Sequence, residues 1–115
     1  MIYENDVRLI GNLGRDPEIR VNNDGRKVAS LSVATSRRWK DSEGEWHQAT
    51  DWVPVVIFGP LAELAEEQLG KGSHVYVHGR IRTSRWEKDG ESFLKTDVVA
   101  TKILDLGSGK EQADA

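Results

Sequence analysis

Apolar and polar residues alternate along most of this chain, and a period of two is typical of half-buried β-strands. The alternation is clearest at Ala29, Leu31 and Val33, which are separated by Ser30 and Ser32. Runs of Gly, Asn and Asp-Pro lie between the alternating segments and favour turns. The pattern therefore predicts five strands, over residues 7–13, 28–35, 51–58, 75–82 and 93–104.

Only one segment, Leu61–Leu69, has its apolar residues at helical spacing, and Gly70 and Gly72 follow it as stop signals. One short amphipathic helix is therefore predicted between the third and fourth strands. Five strands with a helix at this point is the element order of the OB-fold, a small Greek-key barrel. We predict an all-β OB-fold domain over residues 1–106 and a short flexible tail over residues 107–115.

Two connections between the predicted strands carry charged residues and tryptophans. The segment Ser36–Thr50 is polar, with Gly44 near its centre, and is predicted to be a long hairpin connection. The segment Trp86–Gly90 is predicted to join the fourth and fifth strands. Within the third strand, Pro54 has no backbone N–H, which predicts that the strand lies at an edge or a bulge there.

The size and composition of the chain exclude several classes of protein. Its 115 residues are enough for one compact domain, and the absence of cysteine excludes disulfides, a thiol nucleophile and Cys-based zinc or iron-sulfur sites. No window of about 18 apolar residues is present, and the first residues lack the cationic and apolar blocks of a signal peptide. A soluble cytoplasmic protein without a membrane partner is therefore expected.

The formal net charge of -3 argues by itself against a protein that binds polyanions. The excess acid lies in the predicted helix, at Glu63, Glu66 and Glu67, and the rest of the chain has sixteen acidic and sixteen basic residues. The bases cluster beside aromatic residues, in Arg37-Arg38-Trp39-Lys40 and in the segment before Trp86. This arrangement suits single-stranded nucleic acid, because rings stack on bases for about 1–3 kcal/mol each while cations follow the phosphates.

Four of the eight aromatic residues are tryptophans, which is unusual for the core of a small barrel. Trp39 and Trp86 lie among charged residues, which favours contact with a ligand over burial. Trp52 and Phe58 share one face of a strand and either fill the barrel or form a stacking surface. Trp46 has no basic neighbour within two residues, so packing or an interface is an equally open role for it.

No catalytic or metal site is indicated. His74 and His78 lie four residues apart in a predicted strand, which separates them by about 13 Å, too far to share a metal ion. His47 is predicted to lie in a loop. Gly11-Asn12-Leu13-Gly14 matches neither a P-loop nor a dinucleotide fingerprint, since no Lys-Ser/Thr and no helix follow it. We therefore predict a protein that is not an enzyme and needs no metal or cofactor.

Several blocks of sequence, in order and in register from residue 5 to about residue 104, resemble the bacterial single-stranded DNA-binding protein family. The blocks are Gly11-Asn12-Leu13-Gly14-Arg15-Asp16-Pro17-Glu18, Ala34-Thr35-Ser36 with Trp39, Thr50-Asp51-Trp52, Phe58-Gly59 with Leu61-Ala62-Glu63, Lys71-Gly72-Ser73, Val75-Tyr76-Val77, Gly79, and Arg82-Thr83 with Trp86. The resemblance implies an OB-fold homotetramer that coats single-stranded DNA without sequence preference or cofactor.

The resemblance also implies roles for particular residues. The rings expected to stack on bases are Trp39, Trp52, Phe58 and Trp86. The family's backbone-contacting cations match Lys71, Arg82 and Arg85. With the clusters described above, the residues expected to contact phosphates are Arg37, Arg38, Lys40, Lys71, Arg82 and Arg85. The expected process is protection of single-stranded DNA in replication, recombination and repair, at the nucleoid.

The sequence departs from the family pattern at four places. Typical members continue into an acidic tip ending in Pro-Phe that recruits other enzymes, whereas this sequence ends at Ala115. Either the sequence is truncated or it is that of a variant, such as one from a mobile element, that does not recruit partners through a tail. Pro60 replaces a common Lys, and Val53 replaces a His that bears on tetramer contacts. Trp46 is an additional ring, and we hypothesise that it extends the stacking surface.

Two other functions are to be weighed against DNA coating. A primosome-type OB-fold accessory protein is usually a dimer that acts mainly through protein contacts, and such proteins tend to lack most of the stacking tryptophans. Retention of all four ring positions favours the coating role. A small hydrolase or metal-dependent enzyme would need a cluster of ionisable residues, which the spacing of the histidines does not support.

Overall fold

The structure, a computed structural model, describes residues 1–108, with the side chain of Ser108 left undescribed. The described part contains six strands and one helix. These are β1 (Val7–Leu13), β2 (Glu18–Val21), β3 (Lys27–Lys40), β4 (Trp46–Phe58), α1 (Pro60–Gln68), β5 (Ser73–Lys88) and β6 (Glu91–Ser108).

Five of the strands form a closed barrel. The hydrogen-bonded order is β1-β5-β6-β4-β3, and β1 returns to pair with β3 at Asn12 opposite Ala34 and Leu13 opposite Val33. All neighbours are antiparallel except β4 and β6, which are parallel. This is the predicted all-β OB-fold, with α1 between the third and fourth strands of the barrel.

Gly11 allows the barrel to close between β1 and β3. A Cβ atom at this position would overlap the backbone carbonyl oxygen of Ala34. The two strands can approach so closely only because glycine has no side chain. Gly11 therefore serves close packing between two strands, and the turn role predicted for the glycines of this segment is wrong for Gly11.

The interior of the barrel is built from alternate residues of the strands. Ala29, Leu31 and Val33 of β3 are buried, as the period of two predicted, and so are Val55 and Ile57 of the adjacent β4. The apolar side chains buried in this core also include Leu13, Ala62, Ala65, Leu69, Val75, Val77, Val98 and Ala100. No tryptophan belongs to it, because all four in the chain are exposed.

Helix α1 caps the barrel with one face. Pro60 occupies its first turn after Gly59, whose φ of 69° is a glycine conformation. Ala62 and Ala65 are buried against the barrel, and the acidic side chains lie on the exposed face. Lys27 forms a salt bridge with Glu66 at 2.6 Å, and this hydrogen bond raises the pKa of Lys27.

Two strand pairs extend beyond the barrel as two-stranded arms. We define the first arm as residues 36–50 of β3 and β4, which pair only with each other. The second arm comprises residues 83–96 of β5 and β6. The sequence prediction treated much of both arms as connections, whereas the strands continue until a short turn at each tip.

Three smaller details differ from or agree with the sequence prediction. Strand β2 was not predicted, and it forms by pairing with β3. Pro54 pairs with β3 alone, because the β4–β6 pairing begins at Val55, in agreement with its predicted edge position. The tail was predicted to begin at Gly107, but β6 continues through Ser108. Residues 109–115 lie outside the described residues.

Candidate nucleic-acid interface

Three aromatic rings follow one another along the outer face of β4. Trp46, Trp52 and Phe58 are six residues apart, so an even period places all three on the face opposite Val55 and Ile57. A spacing of six residues corresponds to about 20 Å along a strand. Trp52 is 58% exposed and Trp46 62% exposed, whereas Phe58 is half-buried. Of the two roles left open for Trp52, burial in the core is therefore wrong.

Trp52 rests against the end of β1. A Cβ atom on Gly14 would overlap the six-membered ring of Trp52. Gly14 therefore provides the space in which the indole lies, and the β1–β2 connection fixes the position of the ring. The sequence pattern predicted only a turn at Gly14, because the contact of Gly14 with Trp52 arises from the closure of the barrel.

The ring of Phe58 is bordered by two guanidinium groups. The Cζ atoms of Arg26 and Arg82 lie 5.7 Å and 5.8 Å from the ring centroid. Arg82 also donates two hydrogen bonds, of 3.2 Å and 3.1 Å, to the carboxylate of Asp97, which is only 3% exposed. Asp97 thus holds the guanidinium of Arg82 beside Phe58 and compensates its charge.

The first arm carries a ring and a cation on the face that continues the barrel interior. The guanidinium of Arg37 lies 4.9 Å from the centroid of Trp39, and His47 stacks on the same indole at 5.4 Å. Arg37 also donates a 3.0 Å hydrogen bond to Asp51. Trp39 is therefore exposed and flanked by cationic and aromatic groups, but Arg37 already has an acidic partner.

The outer face of the same arm carries Trp46 with two cations. Arg38 lies 5.1 Å and Lys40 5.9 Å from the centroid of Trp46. In the sequence Trp46 had no basic neighbour within two residues, and the cross-strand pairing of Lys40 with Trp46 supplies one. This pairing follows from a hairpin register centred on Glu43, one residue before the centre at Gly44 that the sequence indicated.

The turn of the first arm is fixed by Asp41. Its carboxylate accepts hydrogen bonds from the backbone N–H groups of Glu43 and Glu45 and lies 2.7 Å from Nε2 of His47. These contacts, that of His47 first, lower the pKa of Asp41. Because His47 also stacks on Trp39, the turn and the ring are linked through one side chain.

The second arm carries a pair of stacked rings. Trp86 lies directly opposite Phe93, with centroids 5.5 Å apart and planes inclined by 19°. Arg82 lies four residues before Trp86 and shares its face, so this face adjoins Phe58. Arg85 lies on the opposite face of the arm, across from Leu94.

Sequence reasoning did not identify Phe93 or Arg26 as part of this surface. The signal for Phe93 was the dipeptide Asp89-Gly90, whose positive φ angles of 53° and 79° form a two-residue hairpin turn. Such a turn places Trp86 opposite Phe93. Nothing in the sequence indicates that Arg26 reaches Phe58.

Lys71 is separate from the rings. It lies in the turn after α1, where its backbone N–H donates a 2.8 Å hydrogen bond to Asp16, and its side chain is exposed. The predicted site residues thus form a surface around β4 and the second arm, a second face on the first arm, and Lys71 near the β1–β2 connection. Arg85 and the Arg37–Trp39 pair point away from the outer face of β4.

The histidines are far from forming a metal site. His47 contacts Asp41 and His78 contacts Asp6, and within residues 1–108 no three His, Asp or Glu side chains are placed to hold a metal ion. The contact with His78 lowers the pKa of Asp6. Across the same residues, the single helix is too short and too polar to cross a membrane.

A closed OB barrel with exposed rings and neighbouring cations defines a class, the OB-fold proteins that bind single-stranded nucleic acid. Comparison with protein families agrees with this class: a model described as the single-strand binding protein family matches residues 4–106. The chain belongs to this family.

Two solved structures are similar to this chain along most of its length. The SSB of Plasmodium falciparum, solved in complex with ssDNA, is 31% identical with a TM-score of 0.86, over 92% of this chain and 97% of that one. A deletion mutant of the single-stranded DNA binding protein from Thermus aquaticus is 32% identical with a TM-score of 0.82. That match covers 90% of this chain and 50% of the Thermus chain.

Proposed function

We propose that this protein binds and coats single-stranded DNA without sequence preference, in replication, recombination and repair. The observation that carries the proposal is the exposure of all four tryptophans, in a barrel whose core contains none of them, with cations beside Trp39 and Trp46. Membership of the single-strand binding protein family supports it, as does the similar Plasmodium protein bound to ssDNA.

The proposed mechanism is stacking combined with charge neutralisation. Bases stack on Trp39, Trp52, Phe58 and Trp86, while Arg37, Arg38, Lys40, Lys71, Arg82 and Arg85 contact phosphates. Every base presents a flat face and every nucleotide a phosphate, so neither contact depends on sequence. A strand held in this way is kept from refolding and from nucleases, and the protein performs no catalysis and needs no cofactor.

We further propose that the protein works as a homotetramer in the cytoplasm, at the nucleoid. The outer face of β1, β5 and β6 supports self-association. Ile10, Tyr76 and Leu104 lie directly opposite one another across these strands, and Ile10 is 61% exposed. A contiguous apolar row on the surface of a small domain is typical of an interaction site.

Titration with oligo-dT, followed by tryptophan fluorescence, tests the binding function. We expect quenching at low salt, because bases stack on exposed indoles. Affinity should fall as salt rises, with a slope of about -0.7 for each phosphate contact on a single strand. Duplex DNA of the same length is the control, since its bases cannot reach the rings. Absence of quenching by oligo-dT would contradict the proposal.

A further inference from the structure

A groove crosses the outer face of the sheet between Trp52 and Phe58. Its floor includes Ser30, Pro54 and Val56, the last two lying between the two rings on β4. Three cations line it, namely Arg15, Arg20 and Lys95, together with the acidic residue Glu18. We call this set of residues the basic groove.

Strand pairing explains why these distant residues meet. In β2, Ile19 packs against the core, so Glu18 and Arg20 point outward. Glu18 lies opposite Ser30, which pairs with Val56. Arg20 lies opposite Val28, which pairs with Phe58. The side chains of β2 are therefore in line with the ring-bearing face of β4.

The opposite wall of the groove comes from β6. The parallel pairing of β6 with β4 includes Val98 opposite Val55, and Lys95 lies three residues earlier, where β6 diverges into the second arm. Arg15 comes from the β1–β2 connection, directly after Gly14, the residue against which Trp52 rests. Cations thus line the groove from both sides.

The charges of the groove differ from those beside the rings. Arg37 and Arg82 form salt bridges with Asp51 and Asp97. Within residues 1–108, by contrast, Arg15, Arg20 and Lys95 take part in no salt bridge. Counterion release on binding a phosphate requires a cation that is not already neutralised by a carboxylate. The three groove cations are therefore better placed to neutralise phosphates than Arg37 and Arg82, which are two of the six cations predicted from the sequence.

We infer that the basic groove is a phosphate-binding site that holds the backbone of single-stranded DNA between a base stacked on Trp52 and a base stacked on Phe58. This inference rests on the proposed function, since it specifies the path of the same ligand. Arg15, Arg20 and Lys95 neutralise the phosphates that span the two rings. Glu18 opposes them, so the groove is weaker than its cations alone would make it.

The salt dependence of oligo-dT binding tests the groove. The triple variant Arg15→Gln, Arg20→Gln and Lys95→Gln should reduce the magnitude of the slope of log K against log salt by about 2, at about 0.7 for each lost contact. Lys102→Gln is the control for loss of a positive charge, because Lys102 is exposed on β6 opposite His78, outside the groove. It should leave the slope unchanged.

A second variant should change the affinity for oligo-dT in the opposite direction. Glu18→Gln removes the only carboxylate that lines the groove and should tighten binding several-fold at low salt. Glu67→Gln on the exposed face of α1 removes the same charge and should leave affinity unchanged. Thermal melts establish that each variant is folded.

The outcomes separate the inference from the function. If the wild type quenches with oligo-dT but the triple variant keeps the wild-type slope, the groove inference is wrong and the proposed function stands. The same conclusion follows if Glu18→Gln binds no more tightly than Glu67→Gln. If the wild type does not bind oligo-dT, both fail together.

Discussion

The exposed indoles differ in what holds them in place. Trp52 rests against Gly14, Trp39 is stacked by His47, and Trp86 is stacked by Phe93. Among the ring contacts of residues 1–108, those of Trp46 are with the cations of Arg38 and Lys40. A ring that is already oriented loses less conformational entropy when a base stacks on it. The three rings that are held by a neighbouring residue should therefore lose less conformational entropy on binding than Trp46 does.

Trp46 nevertheless lies on the face that carries Trp52 and Phe58. Trp46→Ala should weaken binding of long oligo-dT by about 1–3 kcal/mol, the usual value of one stacked base. Trp46→Phe should retain most of the affinity, because a ring remains. Fluorescence or anisotropy titrations measure both. Unchanged affinity in Trp46→Ala, alongside a loss in Trp52→Ala, would show that the strand does not reach the tip of the first arm.

Gly14 should control affinity through Trp52. A methyl group in Gly14→Ala would overlap the indole and displace it, so binding should weaken although the residue itself contacts no base. A double-mutant cycle isolates this effect. In a Trp52→Ala background, Gly14→Ala should have no further effect on affinity. An equal loss in both backgrounds would mean that the substitution acts through the fold.

At the scale of elements, β5 and β6 are joined at the base of the second arm by an ion pair whose carboxylate is buried and whose guanidinium is partly exposed. The carboxylate of Asp97 is almost wholly buried, and Arg82 donates a hydrogen bond to each of its two oxygens. Removing one member of such a pair leaves a buried charge uncompensated. Arg82 therefore has a structural role in addition to the phosphate contact proposed for it.

Arg82→Ala should lower the free energy of unfolding by about 1–3 kcal/mol, because the buried carboxylate of Asp97 is left without its hydrogen-bond donor. Adding Asp97→Ala should restore much of that loss, since no charge then remains buried. Urea denaturation measures both variants. If the double variant is no more stable than Arg82→Ala, the pair is not the source of the effect.

At the scale of the whole molecule, the two functions proposed for the surface lie on different parts of the sheet. The rings and the basic groove occupy β2, β4 and the two arms, whereas the apolar row occupies β1 and the parts of β5 and β6 around Tyr76 and Leu104. Copies of the chain can therefore associate through one surface while the other binds DNA. The acidic face of α1 belongs to neither surface, which explains how a net charge of -3 is compatible with binding a polyanion.

Ile10→Glu and Leu104→Glu should each reduce the mass in solution below that of a tetramer, because a charge in the apolar row opposes its burial. Leu94→Glu is the matched control, since Leu94 is 63% exposed in the second arm, outside the row. Light scattering gives the mass. A tetramer that survives both substitutions would place the interface elsewhere.

The sequence predicted those strands whose residues bury one face in the core. Strand β1 was predicted with its observed bounds, and the buried positions of β3 followed from their alternation. Strand β2 was missed because its four residues include two charged ones and bury only Ile19, so its conformation depends on pairing with β3. The arms were underestimated because neither of their faces is buried, and a hydrophobic period then gives no signal.

The types of residue at the site could be predicted from the sequence better than their positions relative to one another. The association of basic residues with tryptophans identified the ligand class, and the Asp89-Gly90 turn contained the register of the second arm. The pairing of Arg82 with Asp97 lies in that same register, because the shift between β5 and β6 comes further from the turn, between His78 and Gly79. The basic groove depends on β2 and on the divergence of β6, neither of which the pattern predicted.

The two arms have a consequence for how tightly the protein can hold DNA. A two-stranded ribbon without a third strand is only marginally stable, so amide hydrogens in residues 36–50 and 83–96 should exchange with solvent faster than those of the barrel. Saturating oligo-dT should slow exchange in the arms far more than in β1. Part of the binding energy is then spent on ordering the arms, so a protein with stiffer arms would bind more tightly and adapt less readily to an irregular strand.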